Sequence, residues 1–470
     1  MEFIEQIKNE ARDGLMKKYK ALLINDKFIT RKTVSFQANK ENPFYRWFKY
    51  KEGFSSNLVK YYIKKYQLEK KEILDPFSGA GTTLFAASEL ECNATGIELL
   101  PVGIFAVEAR EASEKIEYKK LNSIKVKLWD EVDKIKSPEA HIKHIRITNG
   151  AFPEETENDL NKFLTYIEKL EHNYATILRF AAFAILEEIS FTRKDGQYLR
   201  WDHRANRSNG KKKFNKGKIY SFRDAIDAKL REILNDINPN SGLTLFPNNP
   251  NEEKGKIENF QDSCLTKLAE LKGSSFDGII TSPPYCNRYD YTRTYALELI
   301  FLGCDNEKVK ELRQQMLSCT VENKSKIEEI RKFYESINRI ESFEKITKVF
   351  QDSKAMTEII EILDYYKSIK KLNNNGIARM VKNYFLEMAF TIFELARVMK
   401  KGARIIMVND NVQYVGEEIP VDLILSEFAE NFGLKVENIV VLQQKKGNSS
   451  QQMGNHGRNP IRKCVYIWQK

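Results

Sequence analysis

A short apolar run followed by a glycine-rich turn, at residues 73–83, constrains the fold of this chain more than any other segment. Its sequence, Ile-Leu-Asp-Pro-Phe-Ser-Gly-Ala-Gly-Thr-Thr, predicts a buried strand, a tight turn at Gly79 and Gly81, and a helix that begins on apolar residues. Glycine allows the backbone to approach a ligand where a side chain would collide. A strand, a glycine turn and a helix N-terminus in this order are typical of nucleotide-binding α/β sheets. We therefore expect a nucleotide-like ligand where this strand ends.

Two acidic residues narrow the kind of ligand. Asp75 lies at the carboxyl end of the first predicted strand, and Glu98 ends a second one at residues 94–97. Their separation is close to the roughly 20 residues at which an acid binds ribose hydroxyls in such folds. The turn lacks the third glycine of a dinucleotide fingerprint and the Gly-Lys-Ser/Thr of a triphosphate-binding loop. A ligand with a ribose, a cationic amine and no phosphate, such as S-adenosylmethionine, fits this pattern.

A third predicted strand, at residues 276–280, is apolar and leads into the turn Thr-Ser-Pro-Pro-Tyr at 281–285. Prolines fix φ, carry no N–H and leave carbonyl oxygens free to accept hydrogen bonds. The Ser282 hydroxyl and the Pro283 carbonyl can each accept one hydrogen of an exocyclic amine, which aims the nitrogen lone pair at a methyl sulfonium. Tyr285 offers a face on which a flipped base can stack. Together the two turns predict methyl transfer to an amino group, without a metal or a covalent nucleophile.

The composition favours an anionic partner inside a reducing compartment. The 470 residues carry a net charge of +11 with a pI near 9.0, so nucleic acid is the leading candidate, against an ordinary basic enzyme. The six cysteines form no Cys-x-x-Cys pair and the five histidines are dispersed, so we expect no disulfide, no structural metal and a cytoplasmic location. No apolar stretch is long enough to span a membrane, and the N-terminus does not resemble a signal peptide.

Alternating strand and helix patterns predict a doubly wound α/β sheet that two long, mainly helical insertions interrupt. The expected division is an N-terminal segment (1–50), a cofactor-binding part (51–120), a basic helical insertion (121–255), a catalytic part (256–303), a second helical insertion (304–379) and the C-terminal part of the sheet (380–470).

The most basic segment of the chain is residues 193–218. Ten lysines and arginines there face only Asp195 and Asp202, and three glycines argue against a helix. We expect a mobile or loop-rich arm that contacts nucleic acid, and a solvated loop without a partner is the alternative. The candidate contacts in this segment are Arg200, Arg204, Lys211, Lys212 and Lys213.

Two further segments could contact a nucleic acid. Arg288 and Arg293 follow the Pro-Pro-Tyr turn among aromatic residues, a mixture that suits phosphate clamping and base contact. A structural cap is nearly as good an explanation for them. The glycine- and amide-rich residues 445–458 predict either a disordered hairpin tip or a loop that closes over the nucleic acid.

The two turns resemble the S-adenosylmethionine motif and the catalytic motif of DNA amino-methyltransferases, which methylate cytosine N4 or adenine N6 and often accompany restriction systems. The resemblance covers residues 50–110, 255–300 and 380–470. It implies a Rossmann-like methyltransferase fold with a seven-stranded sheet whose last strand is antiparallel. It also implies S-adenosylmethionine as cofactor, double-stranded DNA as substrate and a cognate restriction endonuclease as partner.

The resemblance also assigns roles to individual residues. The late segment 402–411 resembles the strand that supports the catalytic face. A serine at position 282, where adenine enzymes of the family usually carry Asp or Asn, favours cytosine N4 over adenine N6. A neutral serine cannot act as an ionised base, so the amine proton would leave to water after methyl transfer. The implied cofactor-binding residues are Phe54, Ser55, Asp75, Pro76, Phe77, Gly79, Gly81, Thr82, Glu98 and Asp262, and the implied catalytic residues are Ser282, Pro283, Pro284 and Tyr285.

Two other functions are compatible with the same motifs. RNA guanine-N2 methyltransferases use a similar Pro-Pro-Tyr turn, although they more often carry Asp or Asn before it and an added RNA-binding domain. A catalytically silent subunit of a modification complex would keep the fold but lose the reaction, and the intact motifs argue against it. We place target recognition in residues 121–255, although residues 305–375 could share that role.

Overall fold

The computed structural model describes residues 9–195, 198–205, 207, 213–239, 253–442 and 461–470. Within these residues, twelve strands form one large sheet and two small hairpins. The strands are β1 (Leu23–Ile24), β2 (Glu72–Asp75), β3 (Asn93–Glu98), β4 (Thr192–Asp195), β5 (Tyr198–Trp201), β6 (Ile257–Gln261), β7 (Phe276–Thr281), β8 (Met399–Asp410), β9 (Val412–Tyr414), β10 (Glu417–Ile419), β11 (Lys435–Val441) and β12 (Lys463–Gln469).

Eight strands form the large sheet in the order β1-β11-β12-β8-β7-β2-β3-β6. Neighbours pair in parallel except at β12, which runs antiparallel to both β11 and β8. The doubly wound sheet with an antiparallel last strand is therefore confirmed. The predicted number of strands, seven, was one too low, because β1 adds a two-residue edge strand beside Ile439 and Val440. Two residues are too few to show a period-two pattern in a sequence.

Side chains on the central strands alternate between two hydrophobic layers. Ile279 and Ile405 face one layer, whereas their neighbours Ile280 and Ile406 face the other. Because helices cover both faces of the sheet, these strands are apolar at nearly every position. The carboxyl ends of the parallel strands then meet at one edge, which is where sheets of this kind bind ligands.

Eighteen α-helices are present among the described residues. Helices α2 and α3 pack on one face of the sheet, and α1, α10 and α14–α18 pack on the other. The helices are α1 (Glu10–Tyr19), α2 (Ser56–Lys65), α3 (Thr82–Ser88), α4 (Pro101–Ser113), α5 (Tyr118–Val132), α6 (Glu154–Ile167), α7 (His172–Ala184), α8 (Leu186–Ile189), α9 (Phe222–Ile237), α10 (Cys264–Glu270), α11 (Tyr291–Thr294), α12 (Ala296–Phe301), α13 (Asn306–Gln315), α14 (Ile327–Ser336), α15 (Ile340–Asp352), α16 (Lys354–Ser368), α17 (Ile377–Val398) and α18 (Val421–Asn431).

The two segments between the sheet-forming parts of the chain pack differently. Helices α5–α9 of the first segment form their own hydrophobic core together with α4 and α11–α13. Helices α14–α16 of the second segment instead share one core with α17 and α18. The first segment therefore stands beside the sheet, and most of the second completes a helical layer on it. Among the described helices, none is both long and apolar enough to cross a bilayer.

The first part of the basic segment 193–218 is a hairpin rather than a loop, whereas residues 213–218 have neither helix nor strand, as expected of a loop-rich arm. Strands β4 and β5 form an antiparallel hairpin in which Arg193 lies opposite Arg200 and Thr192 opposite Trp201. Thr192 and Leu199 are buried, whereas the two arginines are exposed. The period-two alternation was hidden from the sequence by Lys194, a charged residue at an inward-facing position.

Candidate active site

One cavity opens where β2, β3 and β7 end, and it holds about 810 Å³ of unfilled space, part of it open to solvent. Strand β2 lies between β3 and β7, so the turn at 75–83 meets the turn at 281–285 there. The predicted residues that line this cavity are Phe54, Asp75, Pro76, Phe77, Gly79, Thr82, Glu98, Asp262, Ser282 and Pro284.

The glycine turn combines two left-handed residues with different surroundings. Gly79 has φ of 51° and lines the cavity, and a Cβ there would lie 3.1 Å from the Tyr50 ring. Gly81 has φ of 76° and precedes α3, where a Cβ would lie 2.7 Å from Val107 Cγ2. Side chains are therefore excluded from the turn by backbone strain and by space. Gly81 shapes the turn from behind, and Gly79 faces the cavity.

A buried hydrogen bond joins the two sequence motifs. The Thr281 hydroxyl donates to Asp75 Oδ1 at 2.6 Å, and the Phe77 backbone N–H donates to the same oxygen at 3.1 Å. Asp75 is only 1% exposed, and this burial raises the pKa of its carboxyl to about 6 against the hydrogen bonds that favour the ionised form. The predicted cofactor turn (75–83) and the predicted catalytic turn (281–285) are thus held together as one unit.

Glu98 is oriented by the backbone on both sides. Its Oε2 accepts from the Gly79 N–H at 2.9 Å, and its Oε1 accepts from the Leu100 N–H at 2.7 Å. Each carboxylate oxygen can accept a further hydrogen bond, so both can still take ligand hydroxyls. Burial raises the pKa of this half-buried carboxyl to about 7, although both backbone bonds lower it.

Asp262 stands next to Glu98 on the cavity wall. Its backbone N–H donates to the Glu98 carbonyl oxygen at 3.2 Å. Its Oδ1 accepts from the Ser263 N–H at 2.6 Å, just before α10 begins, and from the Thr266 hydroxyl at 3.3 Å. The carboxylate therefore has a fixed direction before any ligand arrives.

Ser55 does not line the cavity. Its hydroxyl accepts from the Leu58 N–H at the start of α2 and donates to the Thr33 carbonyl at 2.7 Å. It caps the helix that follows Phe54, and Phe54 itself reaches the cavity.

The catalytic turn presents only part of itself to the cavity. Ser282 and Pro284 line the cavity, whereas Pro283 and Tyr285 are buried behind them. The Ser282 hydroxyl donates to the Val408 carbonyl at 3.1 Å and lies 3.2 Å from the Tyr285 hydroxyl. Tyr285 is 1% exposed, so its ring face is covered in this structure and its stacking role stays a prediction.

Several cavity residues were not singled out from the sequence. Tyr50 and Glu52 come from the segment that also contains Phe54, and the aromatic content of residues 44–50 was a signal for the first of them. Tyr291 lies within the mixed aromatic and basic stretch after the catalytic turn. No sequence signal marked three lining residues from the second helical segment, Gln315, Met316 and Leu317.

A buried ion pair connects the basic hairpin to this site. The Lys194 side chain, 7% exposed, pairs with Glu298 of α12, which is 1% exposed, at 2.5 Å. Its ammonium also lies 4.9 Å from the centre of the Tyr295 ring, which stacks on Tyr50 at 5.1 Å between centroids. The Tyr295 hydroxyl accepts from the Lys51 N–H at 2.6 Å. The hairpin is therefore in packed contact with the cavity wall.

The predicted nucleic-acid contacts of the basic segment have different surroundings. Arg200 is exposed, and its guanidinium carbon lies 4.1 Å from the centre of the Phe214 ring. The Arg204 guanidinium donates two hydrogen bonds to Asp202, and this pairing holds the pKa of that carboxyl well below its usual range. Lys213 is exposed. Lys211 and Lys212 lie outside the described residues, as does the loop at 445–458.

Arg288 and Arg293 make contacts within the chain. Arg288 donates to Asn373 Oδ1 at 3.0 Å. Arg293 pairs with Asp290 at 3.2 Å and with Glu322 at 2.9 Å. Both arginines thereby link the catalytic turn to the second helical segment, as the structural-cap alternative requires, and their contact with DNA stays a prediction.

Metal-binding side chains do not cluster anywhere in the described part of the chain. The six cysteines are free and buried. Cys286, directly after the catalytic turn, has a pKa well above its usual value because it is buried. A thiol in that state is a poor nucleophile.

Comparison with known proteins extends the likeness well beyond the two turns. A family model described as DNA methylase matches residues 4–102. The chain is 48% identical over 449 residues to the Type II methyltransferase M.AvaI of Nostoc sp. strain PCC 7120, a match that covers 94% of this chain and 89% of that protein. It is 41% identical over an alignment of 483 positions to the Type II methyltransferase M.BsoBI of Geobacillus stearothermophilus, covering 99% of this chain and 92% of the relative.

No solved structure shows significant similarity to the chain. The matched relatives nevertheless cover both helical segments as well as the sheet. With its cofactor turn and its catalytic turn joined at one cavity, the chain belongs to the DNA amino-methyltransferase family, among the relatives of Type II methyltransferases.

Proposed function

We propose that this chain transfers the methyl group of S-adenosylmethionine to N4 of a cytosine in double-stranded DNA. The observation that carries the proposal is the hydrogen bond from Thr281 to Asp75, which joins the two turns at a single cavity. One wall of that cavity suits a nucleoside, and the other suits an exocyclic amine. A donor and an acceptor bound there would lie next to each other.

The side of the cavity formed by Asp75, Gly79, Glu98 and Asp262, here the cofactor wall, suits an adenosine with a charged methionine tail. Glu98 would accept both ribose hydroxyls through the lone pairs that its backbone bonds leave free, and Asp262 would accept the adenine amine. Gly79 lets the tail approach the backbone, and Asp75 supplies negative charge near its ammonium group. S-adenosylmethionine, when bound, supplies the electrophilic methyl group.

The Ser282 hydroxyl has the right hydrogen-bonding direction for a target amine. Because its proton is donated to the Val408 carbonyl, its oxygen presents lone pairs to other donors. It would accept one amine hydrogen, and the Pro283 carbonyl would accept the other. With both hydrogens held, the nitrogen lone pair is directed at the methyl carbon.

Methyl transfer then breaks the bond between sulfur and methyl and forms a bond between that methyl and nitrogen. The products are S-adenosylhomocysteine and a methylated base, and the extra proton on nitrogen passes to water. Ser282 stays neutral throughout, which agrees with the preference for cytosine N4 that the family resemblance implies. We therefore place adenine N6 second.

The exposed side of the basic hairpin would bind the DNA backbone. Arg193 and Arg200 lie opposite each other across β4 and β5 and both pack against the Phe214 ring, so two positive charges lie side by side on this surface and would attract an anion. Phosphate is the anion that DNA provides. Because the matched relatives are Type II methyltransferases, we also propose a restriction endonuclease that shares the recognition site.

Transfer of labelled methyl to unmodified plasmid DNA, followed by nucleoside analysis, tests this function. We expect N4-methylcytosine, at a site that sequencing of the modified DNA then locates. N6-methyladenine would overturn the choice of base. Labelling of transfer RNA in place of DNA, or of neither, would overturn the function.

A further inference from the structure

Glu52 is an acidic residue on the cavity wall that the proposed reaction does not yet use. It lines the same cavity as Ser282, Pro284 and Tyr291. Its backbone has φ of 60°, a left-handed conformation that is uncommon outside glycine and occurs often at functional sites. Within the described part of the chain, its carboxyl group forms neither a hydrogen bond nor an ion pair. The other cavity carboxyls, Asp75, Glu98 and Asp262, all accept hydrogen bonds.

The position of Glu52 is on the catalytic side of the cavity. Burial raises the pKa of Tyr285, Tyr289 and Tyr291, and Glu52 is near enough to add to the rise in all three when it is ionised. These three tyrosines belong to the catalytic turn and the segment directly after it. An unused carboxyl group therefore lies where the target base would enter.

Burial shifts the Glu52 carboxyl towards its neutral form, which can donate a hydrogen bond. Burial raises the pKa of its carboxyl, Asp410 raises it further, and Lys463 and Lys51 oppose the rise. Lys463 is already paired with Asp410 at 3.3 Å. A base that fills the cavity removes the remaining water from Glu52 and disfavours its charged form more strongly. A protonated carboxyl carries one O–H donor, which needs an acceptor.

We propose that Glu52 donates a hydrogen bond to the ring nitrogen next to the target amine. This nitrogen is N3 of cytosine, or N1 of adenine, and in both bases it is a bare acceptor. The equivalent nitrogens of guanine and thymine carry a hydrogen, so they are donors and cannot accept a hydrogen bond from the O–H group. Enzymes that flip a base read it through this edge. The proposal rests on the proposed function, because it assumes that an amine-bearing base occupies the cavity.

The hydrogen bond divides the recognition of the base between two elements. Ser282 and the Pro283 carbonyl hold the amine hydrogens, and Glu52 identifies the neighbouring ring nitrogen. A base without an acceptor at that position would leave the carboxyl unpaired in a closed cavity, which is costly. Glu52 is therefore a residue that determines which base is accepted.

Two substitutions separate the roles that Glu52 could have. Glu52→Ala removes the donor, and we expect kcat/KM on unmodified DNA to fall about 10- to 100-fold, the range of a lost hydrogen bond in a closed site. Glu52→Gln keeps an N–H donor of the same shape, and we expect kcat/KM within about 3-fold of the unchanged enzyme. The matched control is Glu41→Ala, which removes an exposed carboxyl from the same part of the chain.

Affinity for S-adenosylmethionine, measured by titration calorimetry, is expected to be the same in all four proteins, and this also shows that they fold. Loss of that affinity in Glu52→Ala would overturn the proposal, because Glu52 would then belong to the cofactor wall. A Glu52→Gln variant as impaired as Glu52→Ala would also overturn it, since the ionised carboxylate would be the active form. Full activity of Glu52→Ala would overturn it as well.

A modified substrate gives an independent result. In a duplex that contains the mapped site, replacement of the target cytosine by 3-deazacytidine removes the ring acceptor and keeps the amine. We expect this duplex to slow the unchanged enzyme but to cause little further loss in Glu52→Ala, and equal losses in both proteins would contradict the proposal. If the unchanged enzyme methylates no DNA at all, the proposed function fails instead.

Discussion

The two walls of the active-site cavity differ in how far they are prepared for their ligands. On the cofactor wall, Asp75, Glu98 and Asp262 are each fixed by hydrogen bonds from backbone or hydroxyl groups. On the catalytic wall, Ser282 is fixed by the Val408 carbonyl, but Glu52 is unpaired within the described residues and Tyr285 is covered. The three carboxyls proposed to bind the cofactor are therefore held in place before any ligand binds, whereas Glu52, on the proposed base-binding side, has no partner among the described residues.

The largest effect is expected from Ser282→Ala on the catalytic wall. Without the hydroxyl, one amine hydrogen has no acceptor and the lone pair is no longer aimed, so single-turnover methyl transfer should fall about 100-fold or more. Affinity for S-adenosylmethionine should stay unchanged in calorimetry. Weakened cofactor binding would show that the two walls are not separate.

Gly79→Ala tests the cofactor wall. A left-handed alanine costs about 1–2 kcal/mol and its Cβ would meet the Tyr50 ring, so cofactor affinity should fall about 10-fold. Gly150→Ala is the matched control, because Gly150 has φ of 71° with no atom within 4 Å of an added Cβ. Comparable loss of cofactor affinity in the control would assign the effect to general backbone strain.

The charge of Glu98 should appear in the pH dependence of nucleoside binding. Because burial raises its pKa to about 7, the carboxyl is protonated below that pH and accepts hydroxyl hydrogens less well. We expect affinity for adenosine, which lacks the titrating amine of the cofactor, to rise about 5-fold from pH 6 to pH 8 and then level off. Glu98→Gln should remove the dependence, and a flat profile in the unchanged protein would contradict this role.

The smallest effect is expected outside the cavity, on the basic hairpin. Arg200→Gln removes one phosphate contact, so the slope of log affinity against log salt should become shallower by about 1. Arg331→Gln, an exposed arginine paired with Glu335 on α14, is the control. An unchanged slope in Arg200→Gln would remove the hairpin from the DNA interface.

Local signals made the sheet and both turns predictable. The apolar runs before Asp75 and Ser282 end at a glycine turn and at a Pro-Pro turn, which mark strand ends without any tertiary information. The pattern of residues 421–431 predicts a helix, and the structure has one with the same bounds, Val421–Asn431. The pattern of residues 384–399 predicts a helix as well, but that helix begins earlier, at Ile377, because its first turn packs into the helical layer.

The features that were missed depend on contacts between distant parts of the chain. Strand β1 exists only because Leu23 and Ile24 pair with β11. Leu317 belongs to the second helical segment and lines the cavity only because the folded chain brings that segment next to the sheet. In the same way, the inward direction of Lys194 is explained only by Glu298, which lies more than 100 positions away in the sequence.

The Lys194–Glu298 pair also sets a rule for engineering. Exchange of residues 121–255 for those of a relative would separate the positions of this lysine and its own carboxylate. A buried charge that has lost its partner lowers the free energy of unfolding by about 3–5 kcal/mol. A transplanted segment should therefore carry its own partner for position 298, and the natural unit of exchange includes α12 as well as the insertion.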